Sequence, residues 1–136
     1  MRRVPIPSDR CMMCNNGIES ADHLLITCEF AQQVWTAVSL WIKVPLPRYL
    51  LSVVELLEFV KNIGLKGIKR KTIYLVVATV SWSLWLARNE TIFKNKVYQV
   101  FKVNGDIKVL SYLWITSRAA TIKLEWPIWR EFSLGA

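Results

Sequence analysis

Apolar residues recur at three- and four-residue steps along most of this chain, and no strong alternating run of the kind that marks a strand is present. Leu24, Leu25, Cys28, Ala31, Val34, Trp35, Val38 and Trp41 fall on one helical face, which predicts a first helix over 21–42. Ser20 is its expected N-cap, with Glu19 and Asp22 near the positive end of its dipole and an interruption foreseen near Cys28. Pro45 and Pro47 break the chain. A second helix is expected over 51–63, where Ser52 and Glu55 have capping-box spacing and Gly64 and Gly67 form a stop. A third, over 71–94, is apolar nearly all round through its first four turns, as befits the central element of a bundle. A fourth is expected over 97–121, with Val100, Phe101, Val103, Ile107, Leu110, Leu113 and Trp114 inward and Gly105 marking a weak point or break. In the last segment Pro127, between Trp126 and Ile128-Trp129, argues against a helix. There is no internal repeat and no low-complexity tract. The fold class is mainly α, a small helical bundle with an N-terminal CCHC knuckle.

That knuckle comes from the chemistry of the N-terminal part. Pro5 and Pro7 keep residues 1–10 extended, and Asn15-Asn16-Gly17 supplies a chain reversal after Cys11. Cys11, Cys14, His23 and Cys28 read C-x2-C-x8-H-x4-C, and they are all the cysteine and histidine in the chain. Zn²⁺ takes four thiolate or imidazole ligands in a tetrahedron, and a site closed by four protein ligands is structural, with no position left for reactive water. A CxxC turn gathers two sulfurs locally. The other pair comes from the start of the first helix, where residues 23 and 28 lie slightly more than one turn apart, so both can face a metal only if the turn is locally distorted. So short a knuckle has little core, and the metal would supply most of its folding free energy. The plain alternative is that Cys11 and Cys14 are incidental and Cys28 is a small core residue. Use of every Cys and His at this spacing favours the site. The expected division is a knuckle with the first helix over 1–43 and a helical C-terminal region over 44–136, packed together as one unit.

Composition adds a partner class. The chain has 136 residues, of which 53% are hydrophobic and 21% charged, enough for a packed core and too apolar for disorder. Its net charge of +8 favours a polyanionic partner, nucleic acid or an anionic surface. Lys66, Lys69, Arg70 and Lys71 form the densest basic stretch, with Arg2, Arg3 and Arg10 beside the knuckle as a second patch; both are candidate phosphate contacts, and the plain alternative is a solvated loop. Among the seven tryptophans, Trp35, Trp41, Trp82 and Trp85 sit on apolar helical faces and are expected in the core, whereas Trp126 and Trp129 are candidates for a surface contact. Arg88-Asn89 is expected to cap the third helix, with contact to RNA as the less favoured alternative. Three cysteines, an odd number, argue against a disulfide framework and for a reducing compartment, nuclear or cytoplasmic. No apolar segment follows the basic N-terminus, so secretion is not expected. The charge-free run 72–87 falls short of the ~20 residues of a membrane span. Catalysis has no support: the single His is committed to the metal, no Gly-rich phosphate loop exists, and no small-molecule substrate is implied.

These residues resemble a family. Ile6-Pro7, Cys11, Cys14, Glu19-Ser20, Asp22-His23-Leu24, Cys28 and Val34-Trp35 are similar to the pattern of the reverse-transcriptase zinc-binding domain, which lies behind the polymerase in plant LINE-type (non-LTR) retrotransposon proteins. Trp82, Trp85, Arg88-Asn89 and Phe93 resemble the tryptophan and Arg-Asn segment that follows in those proteins. The likeness covers 1–43 well and 80–96 less closely. It implies Zn²⁺ on Cys11, Cys14, His23 and Cys28, and an accessory piece that holds RNA or target DNA during target-primed reverse transcription. The polymerase and the endonuclease are missing from this sequence, so the chain is expected not to be an enzyme. Two other readings compete. In one, zinc only staples a protein-interaction module whose Trp126 and Trp129 present an apolar patch; in the other, 72–87 associates with a membrane. The apolar content leaves self-association open.

Overall fold

The computed structural model describes residues 13, 20–46, 50, 52–94, 97–118 and 124–132. They are mainly helical and contain no strand. A π turn, His23–Thr27, leads into α1 (Glu29–Ile42), followed by α2 (Val53–Asn62), α3 (Gly67–Lys94), α4 (Val100–Arg118) and the short α5 (Trp126–Arg130). At 28 residues α3 is the longest element, and the π turn, α1, α2 and α4 all pack on it. Ala31, Val34 and Val38 from α1, Leu56 and Val60 from α2, Ile73, Val76 and Val80 from α3, and Val103 and Ile107 from α4 meet in one core. Among the described residues no helix is long and apolar enough to cross a membrane.

Local chemistry explains most boundaries. Ser20 Oγ accepts the His23 N–H at 3.1 Å, the expected N-cap. Ser52 Oγ accepts the Glu55 N–H at 3.1 Å, so α2 begins where its cap predicts. Asp22 serves a different helix from the one expected. Its Oδ1 accepts the Val53 N–H at 3.0 Å, placing a carboxylate at the positive end of α2 and tying the first turn to it. α3 starts at Gly67, four residues before its expected start. Gly64 (φ +82°) and Gly67 (φ +62°) make the reversal, after which Lys69, Arg70 and Lys71 are good helix formers and extend the first turns. The basic run therefore lies largely on a helix and not on a solvated loop. Gly105 does not break α4. Val103 and Ile107 on either side of it are buried, and their packing outweighs a glycine cost of ~1 kcal/mol.

The C-terminal segment corrects two expectations. α5 forms despite Pro127, because proline in a first turn lacks only an N–H that has no helical partner there. Trp129 is not a surface residue. It is completely buried, and its indole N–H points to the Lys108 carbonyl (3.0 Å) and Ser111 Oγ (3.3 Å). Ser111, itself buried, takes a core position on α4. From α1, the Trp41 indole donates to the carbonyls of Trp129 (3.1 Å) and Arg130 (2.9 Å), and its ring meets Trp129 edge-on at 5.4 Å and Phe132 at 5.2 Å. Lys43, at the left-handed end of α1, donates to the Glu131 carbonyl at 2.7 Å. Trp126 is half-buried, edge-on to Tyr112 at 5.2 Å. The exposed Trp126/Trp129 patch expected of an interaction module does not form.

Other aromatic expectations also reverse. Trp35 and Trp41 are buried as foreseen, but Trp82 and Trp85 are each 45% exposed. Phe101 (75% exposed) and Leu113 face outward from α4, whose buried stripe is narrower than its apolar set and follows Val103, Ile107 and Ser111. Arg88 does not cap α3. The helix runs on to Lys94, and the Arg88 guanidinium donates to Asn89 Oδ1 at 2.9 Å.

Trp129→Ala should destabilise the protein by about 3–5 kcal/mol in denaturant unfolding, since it empties a closed site and removes the indole hydrogen bonds between α5 and α4. A loss below ~1 kcal/mol would show that the α1–α4–α5 clasp contributes little.

Candidate metal centre

His23 and Cys28 stand at the two ends of one distorted turn. The Leu24 N–H bonds to the Ser20 carbonyl (2.8 Å) with ordinary helical spacing, and the Cys28 N–H then bonds to the His23 carbonyl (2.7 Å) with the longer spacing of a π turn. At Cys28 the backbone leaves the helix (ψ 137°) and α1 restarts, with the Gln32 N–H on the Cys28 carbonyl at 2.8 Å. The turn is widened locally between these two residues. Leu24 and Ile26 point into the protein, where the turn packs on α1 and α3. The break removes helical partners from the turn's carbonyls, and the Trp35 indole N–H supplies one, donating to the Leu25 carbonyl at 2.6 Å.

The side chains carry donor chemistry suited to zinc. Cys28 is buried, 1% exposed, at the N-terminus of α1, where the helix dipole favours an anion. His23 is half-buried, and its Nδ1 lies 3.0 Å from Thr27 Oγ1. A metal-ligating imidazole is usually held through its other ring nitrogen, and Thr27 is placed to do that. Cys11 and Cys14 lie outside the described residues, as do Arg2, Arg3 and Arg10. Among the described residues no group of three or more His, Cys, Asp or Glu is placed to hold a metal. Met13, between the two cysteines in sequence, is partly buried against the core.

The denser basic stretch lies wholly within the described residues. Lys66 precedes α3, and Lys69, Arg70 and Lys71 lie on its first turns, where no acidic residue offsets them. Their successive positions spread them around the helix, and the Arg70 guanidinium sits 5.8 Å over the Tyr74 ring. Cations at a helix N-terminus oppose the dipole, so the start of α3 is electrostatically favourable to an anion. Sequence reasoning missed a groove of 610 Å³ beside α1, walled by Trp35, Leu40, Leu46, Leu50 and Leu56. Its apolar wall is built from residues far apart in sequence, so periodicity within single helices gave no signal of it.

Residues 1–35 match the family described as zinc-binding in reverse transcriptase. The match ends within α1, at Trp35, and takes in Cys11, Cys14, His23 and Cys28; no polymerase region is matched. No curated protein and no solved structure matches the chain.

Trp35→Phe keeps most of the ring and removes the donor to Leu25. We expect a loss of about 1–3 kcal/mol, with faster amide exchange at Cys28. Unchanged exchange there would mean that the π turn does not depend on the indole.

Proposed function

We propose that this chain is a zinc-stapled, nucleic-acid-binding accessory domain derived from a LINE-type retrotransposon of plant type, without polymerase, endonuclease or other catalytic activity. The observation that carries it is the match of residues 1–35 to a zinc-binding region of reverse transcriptase, which spans every cysteine and the single histidine. Cys11, Cys14, His23 and Cys28 hold one Zn²⁺, which screens three thiolates and fixes the segment ahead of α1. The π turn supports this reading because it brings an imidazole and a buried sulfur to the ends of one turn, with Thr27 steadying the ring. Zinc has a structural role, and the ligands are thiolates in a reducing compartment, nuclear or cytoplasmic.

The nucleic-acid reading rests on charge. A net charge of +8 and four cations at the start of α3 suit a phosphate backbone. Contacts through Lys66, Lys69, Arg70 and Lys71, with Arg2, Arg3 and Arg10 as a second group, read phosphates and so tolerate any sequence.

Elemental analysis of protein purified without added zinc should find about one zinc per chain. Chelation should lower the thermal midpoint, and Cys28→Ser should abolish both the metal and the chelator effect. A midpoint indifferent to chelator in the unmodified protein would overturn the structural-zinc reading. Binding of single-stranded RNA should weaken steeply with salt. Four phosphate contacts at a slope of about −0.7 each give a loss of roughly 50-fold between 50 and 200 mM. Affinity independent of salt, or none at low salt, would overturn the nucleic-acid reading.

A further inference from the structure

Tryptophans left half in water at the middle of the central helix need a reason. Trp82 and Trp85 lie with ring centroids 5.2 Å apart and planes tilted by 31°, each 45% exposed. They form a paired aromatic surface on the side of α3 that, among the described residues, no other helix covers. With 3.6 residues per turn, Arg70, Lys71, Tyr74, Trp82, Trp85 and Arg88 fall within about a third of the helix circumference. Every charge in that arc is positive. The carboxylate of α3, Glu90, lies outside it, paired with Lys94 at 3.4 Å and hydrogen-bonded by the Tyr98 hydroxyl. Lys71 stands roughly 16 Å along the axis from Trp82, and Arg88 one turn beyond Trp85.

We propose that this face of α3 binds single-stranded nucleic acid, with unpaired bases stacking on Trp82 and Trp85 and phosphates meeting Arg70 and Lys71 at one end and Arg88 at the other. The proposal rests on the nucleic-acid reading above and names the ligand as unpaired strand, held on α3 and not at the zinc ligands. Aromatic rings between cations suit a ligand that offers π-faces and negative charge together. A duplex hides its base faces and leaves only the phosphates to contact. A second copy of this chain fits the face poorly, since it would set cations against cations and bury them with no carboxylate from the same arc to pair with.

Binding of labelled oligouridylate and of an RNA duplex of equal length, compared between the unmodified protein and a Trp82→Ala/Trp85→Ala variant at one salt concentration, tests this. Two lost stacking contacts should weaken oligouridylate binding by about tenfold or more, leave duplex binding within about twofold, and be largely restored in Trp82→Phe/Trp85→Phe. Independently of any variant, ultraviolet crosslinking of the unmodified protein to oligouridylate should place the nucleotide on the tryptic peptide 72–88. Equal affinity of the double alanine variant, or crosslinks confined to other peptides, would overturn the proposal while leaving nucleic-acid binding intact. Concentration-dependent dimerisation abolished by the alanine pair, with RNA binding unchanged, would overturn it in favour of a self-interface. Failure of the unmodified protein to bind any nucleic acid would remove both this proposal and the reading beneath it.

Discussion

A helix apolar on nearly every side cannot be covered completely by the few shorter helices around it, and α3 is such a helix. Ile73, Val76, Val80, Leu84 and Ala87 line the side that its neighbours bury, and there the core closes tightly. Trp82, Trp85 and Phe93 take the remaining side and stay in contact with water. The burial that holds the bundle together and the exposure that gives it a surface are thus two consequences of one surplus. Apolar area favours folding only where a neighbour removes it from water; where none does, it adds nothing to the core.

The amino-terminal part obeys a different constraint. The turn from His23 closes on Cys28 five residues later, one residue more than an ordinary α-helical turn spans. The π bond from Cys28 to His23, the cap from Ser20 and the indole of Trp35 on the Leu25 carbonyl satisfy the backbone of this irregular turn. Asp22 couples it to α2 and Trp35 couples it to α1. Backbone irregularity and helix packing meet in the same few residues.

At the other end, the clasp of Trp41, Trp129 and Phe132 joins α1 to a helix nearly ninety residues later in the chain. It explains how a five-residue helix persists. Packing, indole hydrogen bonds and the Lys43 ammonium on the last carbonyls replace the length that an isolated helix would need.

Much of this was legible beforehand because it depends on near neighbours. Helical periodicity predicted α1 through α4, an interruption was expected near Cys28, and Ser20 and Ser52 announced their helices through hydroxyls that bond three residues ahead. The spacing of Cys11, Cys14, His23 and Cys28 is likewise a property of the sequence, and only His23 and Cys28 lie within the described residues. What tertiary structure alone decided was coverage: which of the seven tryptophans lie inside, that Asp22 caps α2, that Ser111 occupies the core, and that Pro127 begins a helix. Periodicity records that a face is apolar but not whether another element lies against it. That depends on contacts between residues far apart in the chain, which no local pattern encodes.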